Sequence, residues 1–181
     1  MSVVPFIKGT RILEIGHGPG HLQRVLLSRN LFAVGLDESA QMGRLAKRRL
    51  GTASKLTRGL AQYLPFPVES FDTALATFPA EYIFDPSTLT EVHRVLLPNG
   101  RFVILPGAVI MGRGVWDRFL AWLFRITGET PPNLSEIIRE KSKEPFANAG
   151  FQVEVQELEV RSSIVLLVIA TKKENHVREN T

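Results

Sequence analysis

The stretch Thr10-Arg11-Ile12-Leu13-Glu14-Ile15-Gly16-His17-Gly18-Pro19-Gly20-His21-Leu22 constrains the fold of this chain more than any other part of it. It reads as a buried strand that breaks into a glycine-rich turn and then opens a helix. The branched apolar residues Ile12, Leu13 and Ile15 suit a strand covered on both faces. Three glycines at alternate positions, Gly16, Gly18 and Gly20, let the backbone turn sharply and approach a ligand closely. This is the pattern of a nucleotide-binding loop.

Two periodicities then alternate along the chain, as expected of a parallel sheet flanked by helices. The pattern predicts strands over Arg11–Ile15, Leu31–Leu36, Lys55–Arg58, Phe71–Ala76 and Gly100–Pro106. Between them it predicts helices over His21–Arg29, Ala40–Leu50 and Ser87–Leu97, the last with Asp85-Pro86-Ser87 as a start signal and Pro98-Asn99-Gly100 as a stop. Beyond Gly107, Gly114–Thr127 and Leu134–Ala149 read as helical. Phe151–Val160 and Ser162–Thr171 follow as two long strands so close in sequence that an antiparallel hairpin at a sheet edge is the economical arrangement. The 181 residues, 44% of them hydrophobic, suit one domain over residues 1–172 with a polar tail at 173–181.

Composition removes several classes. No apolar run reaches the roughly 18 residues that span a bilayer, and the N-terminus lacks the regions of a signal peptide. There is no cysteine, so neither a disulfide framework nor a thiolate metal site is expected, and a cytoplasmic protein is the default. The net charge of +4 and pI near 9.7 owe much to Arg44, Lys47, Arg48 and Arg49. No nucleic-acid recognition motif accompanies these cations, so they read as the solvated face of a surface helix and argue against a nucleic-acid partner.

The second apolar run, Ala33-Val34-Gly35-Leu36-Asp37-Glu38-Ser39, ends on Asp37. A carboxylate there can accept both hydroxyls of a ribose lying across the strand ends, where open α/β sheets bind ligands. A dinucleotide fingerprint starting at Gly16 requires a third glycine at position 21, which is His21; the glycine comes one residue early, at Gly20. The loop is therefore better described as E-x-G-x-G-x-G. With Asp37, with Phe71-Asp72 opening the fourth strand and with Arg94-Val95-Leu96-Leu97-Pro98-Asn99-Gly100-Arg101-Phe102-Val103-Ile104 leading into the fifth, the chain resembles the class I S-adenosylmethionine-dependent methyltransferases. It is most similar to the small-molecule branch that includes the ubiquinone and menaquinone biosynthesis enzymes. The resemblance covers about Thr10–Thr171.

That resemblance implies a Rossmann-like, doubly wound seven-stranded sheet of order 3-2-1-4-5-7-6, with the last strand antiparallel and the usual N-terminal helices largely missing. It implies S-adenosyl-L-methionine as cofactor and a small, hydrophobic acceptor. Gly16, His17 and Gly18 would pass their backbone against the methionyl part, Glu14 would help orient its ammonium through the loop, and Asp37 beside Glu38 would hold the ribose. The segment Gly59-Leu60-Ala61-Gln62-Tyr63-Leu64-Pro65-Phe66 matches the adenine-binding turn, and Thr77 and Phe78 would line cofactor and substrate. Leu60 departs from the pattern, since many relatives carry an aspartate there that accepts a hydrogen bond from the adenine amino group. Leucine cannot, so weaker cofactor affinity is expected, by on the order of 1 kcal/mol. Because Met1–Gly9 is too short for the helices that usually cover the cofactor, a more open pocket is expected.

Methyl transfer by direct displacement needs alignment and exclusion of water more than a catalytic set. Where the acceptor must lose a proton, Glu81 and Tyr82 are the candidates for a base by position; otherwise Glu81 caps the next helix and Tyr82 packs beneath it. Thr77-Phe78-Pro79-Ala80 is not the motif typical of enzymes that methylate nucleic-acid bases. His17, His21 and His93 lack carboxylates at ligand spacing, and no metal site is expected. Val115–Ile126 is an apolar helical stripe that either packs in the core, covers a lipophilic acceptor, or makes a peripheral membrane contact. Two other functions stay open. One is a non-catalytic cofactor-binding domain, favoured by Leu60 and the short N-terminus; the other is an NAD-dependent oxidoreductase, against which His21 argues.

Overall fold

The computed structural model describes residues 3–77, 79, 81–109, 143–160 and 163–173. Its elements run in the order β1 (Arg11–Ile15), α1 (His21–Ser28), β2 (Phe32–Asp37), α2 (Ala40–Leu50), β3 (Lys55–Arg58), β4 (Phe71–Thr77), α3 (Pro86–Val95), β5 (Leu96–Val109), β6 (Phe151–Val160) and β7 (Ser163–Lys172). Residues 143–148 are helical as well. The strands form one seven-stranded sheet of order β3-β2-β1-β4-β5-β7-β6. The first five are parallel to one another, and β7 runs antiparallel to both β5 and β6. The parallel sheet and its antiparallel edge hairpin are what the alternating periods predict, and the strand order is the one that the family resemblance implies.

The pleat sends alternate residues to two cores. Leu13 and Ile15 of β1 join Leu36, Phe102, Val168 and the inward side of α3, Leu89, Val92 and Val95. Ile12 joins Leu26 of α1, Ala33, Leu75, Val103 and Leu167 on the other face. Glu14 lies two residues after Ile12, so the same alternation aims it at the α1 face and buries it to 1% exposure. Phe146 from residues 143–148 and Phe151 of β6 close the α3 face with edge-on ring contacts, centroids 6.0 Å apart.

Several boundaries differ by one to four residues from the sequence reading, most of all at the junction of α3 and β5. β5 starts at Leu96, four residues before the predicted Gly100, because Leu96 pairs with Phe71 ahead of an irregularity in the ladder. α3 accordingly ends at Val95 instead of Leu97. The predicted helix Gly114–Thr127, the stripe Val115–Ile126, the first part of Leu134–Ala149 and most of the tail lie outside the described residues. No helix among the described residues is long and apolar enough to cross a membrane.

Candidate functional site

The glycine loop is tied to the end of β2. The Gly16 and His17 amides donate to the Leu36 carbonyl at 2.8 and 3.3 Å. The Gly18 amide donates to Asp37 Oδ2 at 2.8 Å, and the Ser39 amide, leading into α2, donates to Asp37 Oδ1 at 2.8 Å. One carboxylate thus fixes both the loop and the next helix start, and each of its oxygens keeps a second lone pair. The loop needs its glycines because Gly16 and Gly18 have φ of 72° and 51°, in the left-handed region.

Gly20 has a different task. With φ of 79° it begins α1, and a Cβ there would lie 3.0 Å from Leu50 Cδ1 and 3.1 Å from Ala46 Cβ. It sets the approach of α1 to α2 and lines neither of the two cavities described next.

The cavities meet at Gly16. The first, of about 560 Å³, runs from Gly16 past Asp37 and Glu38 to Leu60 and Ala61, with Tyr82 and Asp85 on its opposite wall. Leu60 is 47% exposed there, while Ala61 is buried. The second, of about 440 Å³, has Glu14, Gly16, His17, Gly18 and Thr77 on one side. Val3, Leu22, Val25 and Leu105 give it apolar walls, and His21 stands at its rim. Of the predicted site residues, Asp37, Glu38, Leu60, Ala61 and Tyr82 line the first cavity, Glu14, His17, Gly18 and Thr77 the second, and Gly16 both. Phe78 and the side chain of Glu81 lie outside the described residues. The cap of α3 belongs to Asp85, whose carboxylate accepts from the Ser87 amide at 2.7 Å.

The titratable groups differ with their surroundings. Burial pushes the Glu14 carboxyl up to about 8; the hydrogen bond from Gln23 opposes this and the nearby Asp37 charge adds to it. Gln23 Nε2 donates to Glu14 Oε2 at 2.8 Å, both side chains being buried. Gln23 Oε1 is buried without a hydrogen-bond partner. Burial, then the charges of Asp37 and Glu38, push the Tyr82 phenol above its ordinary range. The Tyr82 hydroxyl reaches over the loop, for a Cβ on Gly16 would lie 2.8 Å from it. Asp85 is held below the usual carboxylate range by its hydrogen bonds to Ser87.

Gln23 and Asp85 were not anticipated as site residues. Gln23 sits three residues before the buried Leu26, a polar side chain on the inward stripe of α1, and that misplacement is its only sequence signal. The Arg49 guanidinium, reaching from α2 to the Pro19 carbonyl, has no such signal. Among the described residues no group of three or more His, Cys, Asp or Glu gathers as a metal site.

Comparison with known proteins places the chain in a family. In sequence the chain is 33% identical over 123 residues to a fatty-acid O-methyltransferase of Mycolicibacterium smegmatis, covering 64% of this chain and 43% of that protein. It is 28% identical over 115 residues to an uncharacterized methyltransferase of Anoxybacillus flavithermus, covering 62% and 54%. The chain thus spans about half the length of the curated relatives it matches. In structure it is similar to an S-adenosylmethionine-dependent methyltransferase of Methanosarcina mazei, with a TM-score of 0.63 at 22% identity, covering 96% of this chain and 98% of the other. The YcgJ protein of Bacillus subtilis gives a TM-score of 0.61 at 21% identity, covering 93% and 94%. The family profile described as a methyltransferase domain matches residues 13–104, from within β1 into β5, and the chain belongs to that methyltransferase-domain family.

Proposed function

We propose that this chain is an S-adenosylmethionine-dependent methyltransferase that passes the methyl group to a small, apolar acceptor by direct displacement. The observation that carries the reading is the meeting at Gly16 of a carboxylate-walled cavity and an apolar-walled one. The first is of ligand size and offers Asp37 to a ribose, with Leu60 and Ala61 against the base. The second offers Val3, Leu22, Val25 and Leu105 to an acceptor without charge.

The residues present fit the cofactor. The left-handed backbone at Gly16 and Gly18 brings main chain, with no Cβ, to the crossing between the cavities. When bound, the cofactor supplies a methyl group on a sulfonium that is already a good leaving group. What remains for the chain is to hold, orient and keep out water. Asp37, Glu38 and Asp85 form an acidic wall that favours a cationic ligand. Tyr82, with its phenol pushed up, keeps its proton at neutral pH and serves as a hydrogen-bond donor over the loop, not as a base.

The test is a thermal-shift comparison of S-adenosylhomocysteine with NAD, followed by methyl uptake from labelled cofactor into a metabolite extract. The homocysteine compound should stabilise the fold and NAD should not; stabilisation by NAD alone overturns the reading. Stabilisation without methyl uptake by any extract leaves the non-catalytic binding domain that the apolar Leu60 favours.

A further inference from the structure

We propose that the face carrying α1 and α2 is a docking surface for an anionic lipid bilayer, from which the apolar acceptor enters the second cavity. The docking follows from the charge and the apolar groups of that face, while the entry of an acceptor rests on the methyl-transfer reading above.

Charge is unevenly laid out along the chain. Residues 20–58 hold eight of the 22 lysines and arginines but only two of the 18 acids, Asp37 and Glu38, and both of these line the first cavity. Neither α1 nor α2 contains an acidic residue. The rest of the chain has more acids than cations. Because β1, β2 and β3 are parallel neighbours, right-handed crossovers place both helices on the same face of the sheet. The Arg49 guanidinium on α2 reaches the Pro19 carbonyl just ahead of α1, so the two helices adjoin. Arg44, Lys47 and Arg48 are exposed on α2, as are Arg24 on α1 and Arg29 at its end. Lys55 and Arg58 continue the surface along β3, the sheet edge beside α2. Among the described residues no acid forms an ion pair with any of these cations. Like charges gathered in this way repel one another, and a polyanionic surface relieves that repulsion.

Apolar groups on the same face choose between polyanions. Val25 on α1 and Leu45 on α2 are each 39% exposed, and Leu45 lies one turn before Arg48 and Arg49. Cations around exposed aliphatic side chains suit a headgroup layer, where the charges meet lipid phosphates and the aliphatic groups reach the acyl boundary. A single-stranded nucleic acid asks instead for open aromatic faces on which bases stack. Phe32, the only Phe, Tyr or Trp in residues 20–58, is 45% exposed, but the Lys55 ammonium already sits 3.9 Å from its ring centroid. The second cavity also meets this face. Leu22 and Val25 of α1 form one of its walls with His21 at the rim, and the exposure of Val25 brings the cavity to the surface there. An apolar acceptor passing from bilayer to cavity along α1 avoids transfer through water.

Co-sedimentation of the full chain with phosphatidylcholine vesicles, with and without added phosphatidylglycerol, tests the docking. The chain should sediment with the anionic vesicles and not with the neutral ones, and high salt should release it. Replacing Arg44, Lys47 and Arg48 together by glutamine should weaken binding by about a hundredfold, roughly fivefold for each charge. None of the three lines the first or second cavity, so S-adenosylhomocysteine should stabilise this variant as it does the unaltered chain. Leu45→Ser should weaken binding severalfold and leave its salt dependence unchanged. Methyl uptake from labelled cofactor into an apolar extract carried in the vesicles should be faster with the anionic ones, and equal rates overturn delivery from the bilayer. Equal binding to neutral vesicles, binding that survives the triple substitution, or tighter binding to RNA than to anionic vesicles overturns the docking surface. Failure to bind vesicles in a chain that S-adenosylhomocysteine still stabilises removes this proposal alone; vesicle binding without such stabilisation removes the methyl-donor reading instead.

Discussion

Glu14 and Asp37 stand near the ends of neighbouring parallel strands, yet the fold treats their carboxyl groups in opposite ways. Asp37 accepts two backbone amides at 2.8 Å and borders the larger cavity. Glu14 has one side-chain amide and almost no solvent. Backbone donors are aimed before any ligand arrives, so they stabilise a charge; a buried carboxyl with one neutral donor is better off protonated. Donor count, and not residue type, separates the surroundings of these two carboxyl groups.

Asp37→Ala should break the first half of that contrast most severely. It removes the acceptor for Gly18 and Ser39 as well as the proposed ribose contacts, so affinity for the adenosyl ligand should fall by about 3 kcal/mol, over a hundredfold. Retained thermal stabilisation by S-adenosylhomocysteine in this variant would show the ribose role to be wrong.

Glu14→Gln addresses the second half through stability. A carboxyl raised from 4.5 to about 8 in the folded state contributes stability that is complete below pH 4.5 and is lost as pH rises towards 8. Wild-type unfolding free energy should therefore decline across that window by on the order of 4 kcal/mol from this group, and the decline should vanish in Glu14→Gln. Chemical denaturation at pH 5 and pH 8 measures it, and identical slopes for the two proteins would contradict a buried protonated acid.

Gly16→Ala probes the crossing itself. The left-handed backbone costs a Cβ-bearing residue about 1–2 kcal/mol, and the new methyl group would collide with the Tyr82 hydroxyl. Both stability and cofactor affinity should fall, measured by melting with and without ligand. Leu60→Asp works in the opposite sense: a restored acceptor should tighten adenosyl binding by about 1 kcal/mol, roughly fivefold by calorimetry. No gain would count against this alignment of the adenine turn.

The smallest effect lies away from both carboxylates. Burial, and then Lys172, hold His93 below its ordinary 6.5, where its ring packs on Phe151 with centroids 5.2 Å apart. The unfolded chain therefore binds a proton first as pH falls, and stability should drop modestly below pH 6.5. His93→Asn should flatten that acid limb, and an unchanged limb would assign it to other groups.

The site was legible to unequal depths. The strand, the turn and the helix start follow from Ile12 to His21 because glycine placement and apolar alternation act over a few residues. Asp37 could be placed because its run ends where a parallel strand must end. Gly20, by contrast, belongs to the glycine pattern in sequence and also packs against Ala46 and Leu50 in space, a contact that its spacing alone does not reveal. The pairing of Tyr82 with Gly16 spans a separation that no local pattern encodes.

What the sequence determined by itself is the order of strands and helices, the glycine turn and the carboxylate at the end of the second strand. These depend on steric preferences and periodicities that each short segment carries alone. Only the tertiary structure decided that Glu14 is sealed under α1 with Gln23, that Asp37 is held by two amides, and that the loop divides two cavities. Burial and hydrogen-bond supply are properties of how elements stack, and the protonation state of a carboxyl follows from them.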